Sequence, residues 1–81
     1  MRMIEDALEH LVKGIVDHPS DVEVEQKTTK RGRTLEVTVN GEDLGRVIGR
    51  NGRTATSIRT VVNALQGGRS TRIDFVDVDA Q

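Results

Sequence analysis

Residues 45–53 read GRVIGRNGR, and this stretch carries the most specific signal in the chain for both fold and binding chemistry. Gly49 and Gly52 stand three positions apart between two segments with helical hydrophobic spacing. Glycine at both positions permits a tight turn and leaves no side chain to keep another backbone away. The helix that follows would point its free backbone N–H groups and the positive end of its dipole into the same space. The stretch therefore predicts a loop that holds a phosphodiester.

The side chains inside and beside this loop are the candidates for contact with a phosphate backbone. Arg50 and Arg53 can add positive charge to the site, and Asn51 can donate a hydrogen bond without adding charge. Arg46 and Arg59 belong to the flanking helical segments, where either side chain can point toward the loop or away from it. The sequence leaves both orientations open.

Other phosphate-binding motifs fail on spacing. A dinucleotide fingerprint would need glycine at position 47, and it would follow a strand rather than a helix. A P-loop would end in Gly-Lys-Ser/Thr, whereas this chain has Gly52-Arg53-Thr54 and lacks the upstream glycine. Val47 and Ile48 are apolar, which suits either core packing or a surface on which bases rest.

Hydrophobic spacing predicts three helices. Residues 3–17 place apolar side chains on one helical face, and Pro19 ends the pattern. Residues 42–48 predict a short helical turn with acids at its start, where the helix dipole favours them. Residues 53–66 repeat apolar side chains at helical spacing and are followed by two glycines, which stop a helix. The side chains of the first helix expected to pack on a sheet include Ile4, Leu8, Leu11 and Ile15.

Alternation of apolar and polar residues predicts three strands. Residues 22–25 and 34–40 alternate in this way, and the polar segment 29–33 between them predicts an antiparallel hairpin with a basic loop. Residues 71–78 form the third strand, with Phe75 on the core side. Because every strand is polar on one side, the order α-β-β-α-α-β predicts an α+β fold. We expect a two-layer sandwich whose helices cover one face of a three-stranded sheet.

Length and composition exclude several classes of protein. The 81 residues suffice for one small domain, spanning residues 1–81. The chain has no cysteine, which excludes a disulfide framework, a thiol nucleophile and a zinc knuckle. No long apolar run is present and charged residues follow the first methionine at once, so we expect neither a membrane span nor a signal peptide, and we expect a cytoplasmic protein. Without a catalytic pattern or a set of metal ligands, we expect no enzyme activity, cofactor, metal or small-molecule substrate.

The charge is unevenly distributed although the formal net charge is only −1. Residues 1–25 carry a net charge of −5 and residues 26–72 carry +7. Nine of the twelve basic residues are arginine, whose planar guanidinium matches the geometry of phosphate. The pattern therefore predicts a cationic site on an otherwise neutral body.

The loop in its context resembles the K homology (KH) domain. The resemblance is carried by residues 47–53 between two helices, after two strands and before a third, with residues 43–46 and 54–59 on either side. The element order resembles the type II form of that fold. With its N-terminal helix, the chain is similar over essentially all 81 residues to small bacterial proteins that consist of one KH domain.

This resemblance implies a non-catalytic protein that binds single-stranded RNA and acts as an RNA chaperone or post-transcriptional regulator. In such domains a Gly-x-x-Gly loop clamps the backbone of about four nucleotides. The nucleic acid lies in a groove between the two helices and the third strand with its preceding loop. The resemblance also implies a homodimer or a heterodimer with a larger Jag-type KH protein, and in some bacteria an effect on cell elongation and division. The residues it assigns to RNA binding are Arg46, Val47, Ile48, Gly49, Arg50, Asn51, Gly52, Arg53, Arg69 and Arg72.

Two questions stay open at this point. The fold could instead serve as a dimerisation or protein-interaction module with an incidental loop, and the discrimination between RNA and single-stranded DNA depends on contacts to the 2′-hydroxyl. Phe75 is the only aromatic residue. With its ring in the core, no platform for base stacking remains, and we expect the isolated domain to bind RNA with about micromolar affinity.

Overall fold

Within residues 3–30, 32–67 and 71–80, which a computed structural model describes, the chain forms three helices and three strands in the predicted order. The elements are α1 (Met3–Lys13), β1 (Glu23–Thr29), β2 (Gly32–Val39), α2 (Gly41–Ile48), α3 (Arg53–Leu65) and β3 (Arg72–Asp77). Short 3-10 turns at Pro19–Asp21 and Arg50–Gly52 precede β1 and α3. The predicted α+β class is confirmed.

The strands form one sheet in the order β1-β2-β3. β1 and β2 are antiparallel, and their pairing continues to Thr29 opposite Gly32, so the hairpin turn is shorter than the predicted loop. Gly32 has a φ of 107°, a backbone angle that glycine adopts without strain. β2 and β3 are parallel, and α2 and α3 supply the long crossover that a parallel connection needs.

One face of the sheet carries the core. Alternate residues of the central strand β2 are buried on that face, and the residues between them are more exposed and polar on the other. This arrangement confirms the predicted sandwich with helices on one face. The buried residues that form the core are Leu8, Val12, Val16, Val22, Val24, Leu35, Val37, Val39, Val47, Ile58, Val62 and Ile73.

The first helix is shorter than predicted, because it ends at Lys13 and not at residue 17. Gly14 follows the last helical residue. The backbone N–H groups of Asp17 and His18 donate to the Asp43 carboxylate at 3.1 and 3.0 Å instead of to carbonyls of α1. A side chain from α2 thus competes with helical hydrogen bonding, which hydrophobic spacing does not reveal.

The apolar face of α1 is buried unevenly. Leu8 and Val12 are fully buried, one helical turn apart, and belong to the core. Leu11 was expected to pack on the sheet with Ile4, Leu8 and Ile15, but it is only half-buried and is neither in the core cluster nor among the apolar side chains packed against it. Helical periodicity predicts a broad apolar stripe. The angle between the helix and the sheet then determines which residues of that stripe the sheet covers.

Candidate nucleic-acid interface

The Gly-x-x-Gly loop is a tight turn with left-handed backbone angles between α2 and α3. Gly49 ends α2 with a φ of 76°, and its N–H donates to the carbonyl of Gly45 at 2.8 Å. Asn51 and Gly52 follow with φ of 55° and 75°. A Cβ atom at position 49 would collide with the Thr54 hydroxyl and lie 2.8 Å from its backbone nitrogen. Glycine is therefore required at position 49 by both contact and backbone angle.

The first turn of α3 opens onto this loop without a capping side chain. Gly52 occupies the N-cap position of α3 and offers no side-chain acceptor. By contrast, α2 is capped by Asn40, whose Oδ1 accepts from the backbone N–H of Glu42 at 2.9 Å. An uncapped first turn leaves N–H groups and the positive end of the helix dipole available to an anion. The exposed side chains beside it are Arg50, Asn51 and Arg53.

A hollow extends from the loop to β3. Ile48 is 38% exposed and lines this hollow, whereas Val47 is fully buried in the core. The structure thus separates the two apolar residues whose roles the sequence left open, because only Ile48 can touch a ligand with its side chain. The residues that line the hollow are Glu36, Ile48, Gly52, Ala55, Arg59, Arg72, Asp74, Phe75 and Val76.

Arg59 joins α3 to β3 across this hollow. Its Nε and Nη2 atoms donate to the carbonyl of Ile73 at 3.3 and 3.1 Å, and its guanidinium carbon lies 5.7 Å from the centroid of the Phe75 ring. Phe75 is half-buried and lines the hollow, so its ring is not fully enclosed in the core as the sequence predicted. Alternation predicts the correct side of β3, but β3 is an edge strand and leaves the ring partly uncovered.

The remaining predicted arginines lie in different places. Arg46 points away from the hollow, since its Nη1 atom lies 3.1 Å from the Asp17 carboxylate. Arg72 is exposed on the rim of the hollow, with its Nε atom 3.3 Å from the carboxylate of Asp74. Arg69 lies outside the described residues. The structure therefore gathers the loop, Arg59 and Arg72 around the hollow and leaves Arg46 beside the segment that follows α1.

The fold is similar to part of a larger protein in solved structures. Crystal structures of Era match 93% of this chain with TM-scores of 0.55 and 0.56, at 14% and 15% sequence identity. One holds MgGDPNP and nucleotides 1506–1542 of 16S ribosomal RNA, and the other is an Aquifex aeolicus Era variant bound to GDP and AlF4−. The matched region is 30% of the Era chain, and the likeness concerns the fold alone.

A family model described as KhpA/KhpB, KH domain, matches residues 5–77. The chain belongs to the KhpA/KhpB family of KH domains. A Streptomyces coelicolor relative named RNA-binding protein KhpA is 65% identical over 95% of this chain and 96% of its own. Relatives of the same name are 58% identical in Mycobacterium tuberculosis, over 95% of both chains, and 39% identical in Halalkalibacterium halodurans, over 86% of this chain and 95% of that one. The predicted resemblance to single-KH-domain proteins is confirmed.

A buried carboxylate anchors the helix that leads into the KH loop. Asp43 on α2 is 2% exposed and accepts hydrogen bonds from the backbone N–H groups of Asp17 and His18 and from the His18 ring, whose Nδ1 lies 3.0 Å away. Burial raises the pKa of the Asp43 carboxyl, but these hydrogen bonds outweigh it and hold the pKa below its ordinary value. The hydrogen bond to Asp43 raises the pKa of His18. No sequence signal pairs these residues, which lie 25 positions apart.

This pair predicts that the stability of the KH domain depends on pH. The pKa of His18 is raised in the folded state, so its contribution is complete below the ordinary value of 6.5 and is lost as the pH rises through the folded-state pKa. The pKa of Asp43 is lowered, so its contribution is present above 3.8 and is lost as the pH falls through the folded-state pKa. We expect the free energy of unfolding to be highest between about pH 4 and about pH 6.5 and to fall above that range.

Urea unfolding at about pH 5.5 and about pH 8.5 measures this effect. His18→Asn should remove most of the decrease seen in the parent protein, and His10→Asn, on the exposed side of α1, is the matched control. Equal decreases in the parent and the His18→Asn variant would contradict the assigned role of the pair.

Two other kinds of site are absent from the part of the chain that the structure describes. There, no group of three or more histidine, cysteine or acidic side chains is placed to hold a metal ion. In the same residues, no helix has the length and apolar character needed to cross a bilayer.

Proposed function

We propose that this KH domain, acting as one unit over residues 1–81, binds single-stranded RNA without catalysis and holds the RNA backbone at its Gly-x-x-Gly loop. The observation that carries the proposal is the uncapped first turn of α3, which opens beside exposed Arg50, Asn51 and Arg53. Backbone N–H groups at a helix start and arginine side chains are the groups that bind phosphate in proteins. The relatives named RNA-binding protein KhpA support the same role.

The bases attached to that backbone lie in the hollow between the loop and β3. Ile48 provides apolar contact, and the guanidinium of Arg59 beside Phe75 offers a flat surface on which a base can stack. Because Phe75 is only half-buried, its ring contributes some aromatic surface to the hollow, where the sequence predicted no platform for base stacking.

The outer edge of β3 offers hydrogen bonds to those bases. The carbonyl of Ile73 accepts from Arg59 on α3, so it points away from β2. The N–H of Val78 donates to the carbonyl of Val39 on β2 at 2.7 Å. Since successive residues of a strand alternate between its two edges, the backbone of Phe75 points outward like that of Ile73. An outward N–H and carbonyl can pair with the edge of a base that is not in a duplex.

A salt titration tests RNA binding directly. We expect a short unstructured RNA to bind with about micromolar affinity, and log K to fall against log salt with a slope near −0.7 for each phosphate contact, or about −2 for three contacts. Fluorescence anisotropy with an end-labelled oligouridine measures both quantities. An absence of saturable binding at low salt would contradict the proposal and favour the alternative, a protein-interaction module with an incidental loop.

The finer role that we propose is that of a cytoplasmic RNA chaperone or post-transcriptional regulator, working as a homodimer or with a larger Jag-type KH protein. An apolar strip supports the assembly, because Val61 and Leu65 lie one turn apart on α3 and are 45% and 56% exposed. Joining two sites raises avidity without new contacts to RNA, which suits a domain with a short clamp. Regulation of transcripts would also account for an effect on cell elongation and division.

A further inference from the structure

The open face of the sheet carries a basic and hydroxyl-bearing row at its hairpin end. Lys27 on β1 pairs with Thr34 on β2, and Thr34 pairs with Arg72 on β3. All three side chains point away from the core, since they alternate with the residues that face it. The row spans the sheet, a distance of about 10 Å for two interstrand spacings. Thr29 and Lys30 extend this surface onto the hairpin turn, and we name the five residues the hairpin surface.

The next row on the same face is acidic. Glu25 pairs with Glu36, and Glu36 pairs with Asp74. Like charges directly opposite one another destabilise a sheet, and ion pairs to the basic row offset this. The Nζ atom of Lys27 lies 3.2 Å from Glu36, and the Nε atom of Arg72 lies 3.3 Å from Asp74. The open face is thus divided into a basic part beside the turn and an acidic part behind it.

The basic part remains available to an anion in spite of these ion pairs. Both pairs are between partly exposed side chains, and such pairs are weak in water, so a phosphate can replace a carboxylate partner. Lys30 is exposed, and no carboxylate of the described residues forms an ion pair with it.

The hairpin surface is continuous with the proposed RNA groove. Arg72 lines the hollow beside the KH loop and also the shallow hollow formed by the hairpin surface. A third hollow, between the hairpin and α3, contains Arg72 as well, together with Arg33 and Arg59. Arg33, Arg59 and Arg72 therefore follow one another from the groove, past the start of β3, to the open face, and Glu36 and Asp74 line the groove and the shallow hollow beside them.

We propose that bound RNA continues past the KH groove at Arg72 and that its next phosphates bind the hairpin surface. The inference rests on the proposed function and extends the site beyond the nucleotides held by the loop. Lysine, arginine and threonine side chains are typical phosphate contacts, and the acidic row repels a strand that strays toward Glu25. A span of about 10 Å corresponds to about three steps of one stacked strand, whose neighbouring phosphates are about 3.4 Å apart along its axis.

The test compares two RNA lengths, oligouridines of about four and about ten nucleotides. The variant is Lys27→Thr with Lys30→Thr, which removes two cations, keeps strand-forming side chains and changes no residue of the groove. For the longer RNA we expect affinity to fall about tenfold at about 0.15 M salt, and the salt slope to become shallower by about 1.4. The shorter RNA should bind the variant and the parent equally.

The matched control is Lys13→Glu on α1, which changes the net charge by the same amount away from the hairpin surface and should leave both RNAs bound as in the parent. If the parent binds neither RNA, the proposed function itself fails. If the parent binds and the variant retains both the affinity and the salt slope for the longer RNA, the proposed function stands and the hairpin surface is not part of the site. Equal losses for the two lengths, or the same loss in the control, would also overturn the inference, because they indicate a general effect of charge.

Discussion

Replacement of both Arg50 and Asn51 by aspartate is expected to weaken RNA binding about 50-fold at physiological salt while the domain remains folded. The substitutions remove one positive charge and add two negative ones at the turn that faces the uncapped start of α3. If each unit of charge counts as one phosphate contact, the salt dependence of single-strand binding gives this magnitude. The fold should persist because both side chains are exposed and aspartate tolerates the left-handed angle of Asn51, whose φ is 55°.

A charge-matched variant distinguishes a specific effect of the loop on RNA binding from a general effect of net charge. Lys13→Glu combined with Gln26→Glu changes the net charge equally, at exposed positions on α1 and β1. We expect this control to bind RNA within a few-fold of the parent, as measured by anisotropy, with thermal melting to verify folding. A folded loop variant that binds as tightly as the parent would show that the Gly-x-x-Gly turn does not hold the RNA.

The loop and the order of elements could be predicted because their signals are local. Gly49 and Gly52 are required by backbone angles within a few residues of each other, and the KH order follows from periodicities that each element carries by itself. These features predict where a phosphate backbone would bind without knowledge of how the elements meet. Membership in the KhpA/KhpB family confirms the predicted KH fold.

The features that the sequence did not reveal all depend on how distant elements meet. The orientation of Arg46 is determined by Asp17, and the exposure of Phe75 by the position of β3 at the edge of the sheet. The basic row of Lys27, Thr34 and Arg72 exists only because of strand register. Along the chain these three residues are separated by a hairpin and by two helices, so no motif could join them.

The hydrogen bonds of Asp43 also join distant parts of the chain and could not be predicted from the sequence. From the sequence alone, an acidic residue at the start of α2 is explained by its favourable interaction with the helix dipole. In the structure Asp43 instead accepts from the segment that follows α1, which fixes the helix that ends at Gly49. The contact therefore holds the first turns of α2, whose other end leads into the loop, and its pH dependence should be visible in the stability of the domain.

Leu8→Ala is expected to have the largest effect on stability, a loss of about 2 to 5 kcal/mol in the free energy of unfolding. Leu8 is fully buried and belongs to the core that α1 shares with the sheet. Truncation removes buried apolar surface and leaves a cavity that a small domain can only partly close. Because such domains have about 5 to 15 kcal/mol of stability in total, thermal melting should show a decrease of about 10 °C or more.

Leu11→Ala is the matched variant, since it makes the same chemical change three residues further along α1. Leu11 is half-buried and outside the core cluster, so less surface is lost and solvent or neighbouring side chains can fill the space. We expect its loss of stability to be less than half that of Leu8→Ala in urea unfolding under the same conditions. Equal losses in the two variants would show that α1 meets the sheet along its whole apolar stripe. The contact made by Leu8 and Val12 would then not be the one that holds α1 on the sheet.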